Sequence, residues 1–244
     1  MAALSEARFP DIVELRDIGT DELDRVLDEE KLTWRSQLQW DFTASAELVR
    51  RFVRIQALTG FGLVIDGRCI GYSYFVSEDR KALIGDLYVV REYANAELED
   101  MLLGAVLDAL FAVPAVRRIE AQLMMLHGPF ERSLPYNRHL RMQPRNLMMV
   151  DLEETSQLPA GKAAGRFLYD HWCEERQDDG AQVIAAAYRG HVDSTINDQY
   201  RSVQGARRFL NNIVQYPGCG AFNGDASWVA DSPSTERMAG LSLA

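Results

Sequence analysis

The chain is poor in cysteine. Cys69, Cys173 and Cys219 are the only three in 244 residues, and they are unclustered. That is too few for a disulfide framework, and no CxxC spacing offers a metal or redox pair. Histidine is scarce as well, with four residues, and HExxH, GxSxG and the phosphate-loop glycine pattern are all missing. Metalloprotease, serine-hydrolase and nucleoside-triphosphatase chemistry therefore find no support. Cations are outnumbered: 26 Lys+Arg against 36 Asp+Glu give a net charge of −10. Such a balance disfavours nonspecific binding to nucleic acid or an anionic membrane, so neither is expected as a partner. A cationic or amine ligand is compatible with it. No run approaches the roughly 20 apolar residues of a membrane span. The opening MAALSEARFPDIVE lacks the charged-then-apolar order of a leader peptide. The expectation is a cytoplasmic protein with reduced thiols and no metal.

What the chain does have is material for a core, with 47% hydrophobic and 25% charged residues. Its length allows one large domain or two ordinary ones. The most ordered stretch is 82–112, ALIGDLYVVREYANAELEDMLLGAVLDALFA. Leu83, Ile84, Leu87, Val89 and Val90 form an apolar, β-branched run of strand length. Asn95 is a plausible N-cap. Leu98, Met101, Leu102, Ala105, Val106, Ala109 and Leu110 then recur at helical spacing on one face, and Pro114 stops the helix. A strand feeding a helix N-terminus is a common anion site. Here Glu97, Glu99 and Asp100 already occupy the positive end of the helix dipole, and the loop has no glycine.

Upstream, Ile12–Ile18 reads as a strand, Asp21–Glu30 as a helix capped by Thr20, and Trp34, Trp40 and Phe42 as a less regular aromatic stretch. A second helix starts at Ser45 or Ala46 and ends at Gly60 and Gly62. Asp66-Gly67 then marks a hairpin between Phe61–Ile65 and Cys69–Val76. Downstream, Arg118–Leu126 reads as a strand, Phe130–Leu140 as a helix containing Pro135, and Asn146–Leu152 as a last strand. Residues 153–165 are polar with Pro and Gly. The domain expectation is residues 1–155, a linker at 156–165, and a second unit at 166–244. In that unit, Phe167, Leu168, His171 and Trp172 suggest a helix, as do Ala181–Tyr188 and Val203–Val214. Pro217–Gly220 reads as a turn, Ala226–Ala230 as a strand and Met238–Ala244 as the start of another. The two halves echo each other: 40–62 resembles 200–220, and 62–89 resembles 220–243. A tandem repeat with a shortened second copy is the expectation.

The order of elements resembles the GNAT superfamily of acyl-CoA-dependent N-acyltransferases. Two segments carry the resemblance. LYVVREYANAELEDMLLGAVLDAL (87–110) is similar to that family's strand, pyrophosphate loop and helix. LPYNRHLRMQPRNLMMVDL (134–152) is similar to its Tyr-x-x-x-Gly-Phe helix end and last strand. The resemblance implies a mixed α/β fold, a mostly antiparallel sheet flanked by helices, followed by an incomplete second copy. It implies acetyl-CoA as cofactor and transfer of its acetyl group to an amine of a small molecule or peptide, with a homodimer as a candidate assembly. It places the cofactor at Leu87, Tyr88, Val89, Ala94, Asn95, Ala96, Glu97, Leu98 and Glu99, and the proton donor to the leaving thiolate at Tyr136. Glu97 and Glu99 stand where the family has glycines and Ala94 where it has Arg or Gln. A register shifted by three would match Arg91 instead. Either register lacks a loop glycine, which implies weak coenzyme A binding by the first copy. Trp34, Trp40, His191, Asp193 and Asp198 are candidates for an acceptor pocket. A His191–carboxylate base and simple helix capping by Asp193 or Ser194 both account for the last group. The alternative to an enzyme is a catalytically inactive scaffold that supports the second unit.

Overall fold

The computed structural model describes residues 9–78, 80–129, 131–157, 159, 161, 165–215 and 221–244. The chain divides into two compact units, Met1–Pro144 and Arg145–Ala244, a boundary earlier than the composition change suggests.

The first unit is a five-stranded sheet flanked by helices. Its strands are β1 (Asp11–Glu14), β2 (Thr59–Ile65), β3 (Arg68–Glu78), β4 (Lys81–Val89) and β5 (Arg118–Ala121), in spatial order β1-β2-β3-β4-β5. All pairs are antiparallel except β4–β5, which is parallel. The mixed, mostly antiparallel sheet expected from the sequence is present. Asp66 and Gly67 both take positive φ (51° and 78°) at the β2–β3 turn, as a two-residue primed hairpin requires.

Helix α1 (Thr20–Leu38) runs past the expected end at Glu30. Leu23, Val26, Leu27, Glu30 and Trp34 lie on its buried stripe. The sequence pattern was interrupted by the carboxylate of Glu30, which is buried because it is hydrogen-bonded. Gly19 rather than Thr20 is the N-cap. Helix α2 (Thr43–Arg54) follows, and Gly60 and Gly62 belong to β2 instead of ending it. Helix α3 (Ala96–Phe111) buries Leu98, Leu102, Val106 and Leu110, and Asn95 caps it by accepting from the Leu98 N–H at 3.0 Å.

Two expectations fail after β5. The segment from Glu131 to Leu140 is turns and one short 3-10 turn at Asn137–His139. Pro135 removes a helix donor, and Tyr136 sits in the left-handed region (φ 59°); Phe130 lies outside the described residues. The strand expected at 146–152 does not form. Met148, Met149 and Val150 stay exposed (89%, 61% and 57%), and the sheet ends at β5. Strand propensity without a partner edge makes no strand. β5 itself stops at Ala121, short of Leu126.

The second unit carries β6 (Leu168–His171), α4 (Gln177–Ala187), α5 (Val192–Ile196), α6 (Val203–Gln215), β7 (Trp228–Ser232) and β8 (Arg237–Ser242). Its sheet order is β6-β7-β8, antiparallel throughout. Leu168–His171 is a strand and not the expected helix, because its exposed residues offer no helical stripe and β7 supplies an edge. The core is Trp172, Ala181, Ile184, Ala206, Leu210, Val229 and Met238. The turn expected at 217–220, with Cys219, lies outside the described residues. Of the other thiols, Cys69 is buried, which pushes it up to about 11, and Cys173 is exposed.

The two sheets match residue by residue. β1 meets β2 as Asp11↔Val64 through Glu14↔Phe61, and β6 meets β7 as Leu168↔Asp231 through His171↔Trp228. In the β2–β3 ladder the pairing jumps from Leu63↔Gly71 to Val64↔Cys69, leaving Ile70 as a bulge. In the β7–β8 ladder it jumps from Ala230↔Gly240 to Asp231↔Met238, leaving Ala239 in the same place.

Candidate functional site

The first unit has a gap in its sheet. β5 pairs with β4 only from Lys81↔Arg118 to Ile84↔Ala121, whereas β4 continues to Val89. The Val90 N–H donates to the Ile70 carbonyl at 2.8 Å. Antiparallel alternation then turns the N–H groups of Leu87 and Val89 to the opposite edge, toward the space beyond Ala121. A bulge at Gly85 precedes them, since Tyr74 pairs with Asp86 and Phe75 with Ile84. An extended ligand carrying amides can pair with such an edge. The Leu87 N–H, however, already donates to Asp86 Oδ1 at 2.8 Å. Val89 is the remaining donor of the pair on that edge.

Beyond Val89 the chain turns through Arg91–Tyr93 and enters α3 at Ala96. Of the expected cofactor positions, Asn95, Ala96 and Glu97 are exposed, Ala94 is half-buried, and Leu98 and Glu99 are buried. Glu99 therefore does not line the loop. Its carboxylate accepts from Arg132 Nη2 at 2.9 Å and faces His127 Nδ1 at 2.6 Å, and Arg132 Nη1 also donates to Asp100 at 2.5 Å. Arg132 offsets two of the three carboxylates that were expected to repel an anion. Glu97 alone keeps that role. The Arg91 N–H, the first amide of the loop, donates to Glu29 Oε1 at 2.7 Å.

A polar network that sequence reasoning missed lies between α1 and the sheet. Tyr72 O–H donates to Glu30 Oε2 at 2.8 Å, and Trp34 Nε1 donates to Glu30 Oε1 at 3.1 Å. Tyr88 O–H donates to Glu29 Oε1 at 3.0 Å and lies 2.8 Å from Thr33 Oγ1. Glu30 is fully buried, and so is Asp86 at 5% exposure. Burial, and then the neighbouring Asp86, hold the Glu30 carboxyl well above the usual carboxylate range. Burial pushes Asp86 up to about 6. Both carboxyls are thus held toward the protonated form by the burial they share. The signal available in the sequence was a glutamate on the apolar stripe of α1 and an aspartate inside the β4 run.

The other expected site residues are elsewhere. Tyr136 O–H donates to Asp108, near the C-terminal end of α3, and its ring packs edge-on against Phe111. Asp108 is twelve residues along the helix from Ala96, about 18 Å at 1.5 Å per residue. Asp108 also holds the phenol above its ordinary value. Tyr136 is therefore remote from the gap. Trp34 and Trp40 do come together in the first unit, with ring centroids 6.3 Å apart, but Trp34 is a core residue stacked on Phe42. His191, Asp193 and Asp198 belong to the second unit. His191 Nδ1 caps α5 by accepting the Asp193 N–H, while the Asp193 carboxylate is taken by Arg145. Asp198 pairs with Arg201 at 3.0 Å. These three form local turn and capping contacts, with His191 doing the capping in place of Asp193 or Ser194. Among the described residues no group of His, Cys, Asp and Glu could hold a metal ion, and no helix is long and apolar enough to cross a membrane.

No protein-family model matches the chain, and no curated protein matches it. Solved structures do. A possible acetyltransferase from Clostridium difficile 630 is similar over 59% of this chain and 99% of its own, at 10% identity and TM-score 0.39. A ribosomal-protein-alanine N-acetyltransferase from Brucella melitensis biovar Abortus 2308 is similar over 48% of this chain and 81% of its own, at 15% identity and TM-score 0.35. The PaiA N-acetyltransferase from Thermoplasma acidophilum, in complex with coenzyme A, is similar over 46% of this chain and 78% of its own, at 19% identity and TM-score 0.35.

Proposed function

We propose that the first unit is a GNAT-type acyltransferase module that takes an acyl-CoA in the β4–β5 gap and passes the acyl group to an amine of a small molecule or peptide. One observation carries this reading. A parallel strand pair separates after Ile84, and the freed edge of β4 leads into the N-terminus of a capped helix. The edge suits an amide-bearing arm, and the helix end suits the phosphates that follow it. When bound, the thioester supplies the activated acyl group. The Val89 N–H would face the carbonyl oxygen and stabilise charge as it develops there. Trp34 and the Glu30–Asp86 pair lie under the α1 side of the same strand, and the acidic balance of the chain suits a cationic acceptor.

The chain's own groups also support a second reading, a scaffold that binds no cofactor. Glu29 occupies the first loop amide and Asp86 the Leu87 amide. In both readings the second unit is a partial copy of the first, a view supported by the shared register and bulge.

Calorimetry with coenzyme A decides between the two. The acyltransferase reading expects micromolar binding, with affinity raised about threefold in Glu97→Gly, the size of one first-turn carboxylate at a helix N-terminus. No heat up to millimolar ligand would leave only the scaffold. Glu99→Gly is not an equivalent test, because it breaks the buried contact to Arg132.

A further inference from the structure

Two parts of the second unit lack the partner that their sequence calls for. The first is the stretch 146–151, NLMMVD. Leu147, Met148, Met149 and Val150 are four consecutive apolar residues, and all are exposed, Met148 by 89%. Among the described residues, no backbone hydrogen bond involves residues 146–150. An exposed apolar run of that length is a feature of interaction segments. Its ends are tied within its own unit. The Arg145 guanidinium donates to Asp193, the Asp151 carboxylate accepts the Glu153 N–H at 2.9 Å, and the Asp151 carbonyl accepts the Glu154 N–H at 3.0 Å.

The second part is the outer edge of β8. This strand ends its sheet, and its sequence RMAGLS holds no Lys or Pro, the residues that commonly blunt such an edge. The register shared by the two sheets indicates what the edge can take. Gly240, Leu241, Ser242 and Leu243 follow the Ala239 bulge as Gly71, Tyr72, Ser73 and Tyr74 follow the Ile70 bulge. Those four residues of β3 pair antiparallel with Val89, Tyr88, Leu87 and Asp86 of β4. A bulge at that position therefore leaves the residues after it able to accept a strand on the outer side.

We propose that two copies of the chain associate by exchanging residues 146–151, each adding them as an antiparallel strand to the β8 edge of the other. Charge selects the register. Asp151 is the one charged residue of the donated stretch, and the exposed Arg237 is the one charged residue of β8. With these two opposite each other, Leu147 falls opposite Leu241 and Asn146 opposite Ser242. Opposite charges, apolar pairs and polar pairs each favour a cross-strand contact. A second copy is the occupant because the chain's own segment, tied at both ends, leaves β8 at the edge of its sheet. The exchange is mutual, so a two-fold dimer closes with neither edge left open. This interface does not depend on the acyl-transfer reading.

The test is sedimentation equilibrium of the full chain, which is expected to give twice the 27.6 kDa chain mass. Asp151→Arg and Arg237→Asp each set like charges opposite each other twice per dimer, and each is expected to weaken association about tenfold. Mixing the two variants restores opposite charges at both contacts, so a heterodimer of wild-type strength is expected. Met148→Lys, at a position 89% exposed, is expected to weaken the dimer while the monomer keeps its circular dichroism. A wild-type chain that stays monomeric at about 100 μM overturns the proposal. So does a dimer that both charge variants leave unchanged. A mixture no more associated than its components overturns the exchange as well. Rescue confined to a chain carrying both substitutions would then place the segment on its own β8.

Discussion

The β1–β2–β3 part of the first unit and the β6–β7–β8 sheet of the second use one backbone plan with different contents. Both place a short strand beside a bulged hairpin, with the same pairs and the same extra residue. On the first sheet, β3 has β4 on its outer edge, and Tyr72, Tyr74, Asp86 and Tyr88 share the face that meets Glu29, Glu30, Thr33 and Trp34 of α1. On the second, β8 ends the sheet, and the core is small and apolar around Leu210, Val229 and Met238. The buried polar chemistry is thus shared by α1, β3 and β4 of the first unit. A shared register sets where side chains point. It does not decide whether a titratable site forms there.

The sharpest way to break the contrast is to empty the polar face of the first unit. Glu30→Ala leaves the Tyr72 hydroxyl and the Trp34 N–H without their acceptor and opens a cavity, at a cost of about 4 kcal/mol. Urea unfolding of the first-unit transition reads this, and a loss under 1 kcal/mol would mean that water or Asp86 replaces the carboxylate easily.

Next comes pH. Asp86 rises from its ordinary 3.8 to about 6 on folding, so the folded state holds the proton more tightly than the unfolded chain. The associated stability is full below pH 3.8 and is lost as pH rises through about 6, a change of about 3 kcal/mol for two units. Asp86→Asn removes this limb, and the difference in unfolding free energy between wild type and variant should therefore vary from pH 4 to pH 8. A constant difference would show that the carboxyl titrates as in the unfolded chain.

The smallest effect compares equivalent glycines. A Cβ on Gly71 would lie 2.8 Å from the Tyr88 carbonyl and 3.2 Å from Val89 Cα, both on β4. A Cβ on Gly240 would meet only the Ala230 Cβ, at 4.0 Å. Gly71→Ala should cost about 2 kcal/mol by overpacking, while Gly240→Ala stays within about 0.5 kcal/mol. Equal costs in thermal unfolding would mean that the neighbouring strand is not the source of the constraint.

Periodicity and turn chemistry made much of this legible. The Asp66-Gly67 hairpin, the β4 run, the Asn95 cap and the α3 stripe each follow from local rules that tertiary contacts reinforce. The misread elements share one physical cause. The β-forming segment at 146–152 looked like a strand, but a strand needs an edge to pair with. The stretch 167–172 looked helical until β7 gave it one. Glu30 ended the apparent helix because a lone carboxylate on an apolar stripe reads as polar, whereas Tyr72 and Trp34, distant or one turn away, make its burial favourable.

The candidate site shows the same division. The sequence by itself determined the strand–loop–helix frame at 87–98, because backbone geometry, capping and amphipathic spacing are short-range properties. Only the tertiary structure decided which side chains serve that frame. It drew Glu99 into a buried contact with Arg132 and His127, tied Tyr136 to the far end of α3, and brought Glu30 against Asp86. Those outcomes depend on desolvation and on partners up to 56 positions apart in the chain, which no local pattern encodes.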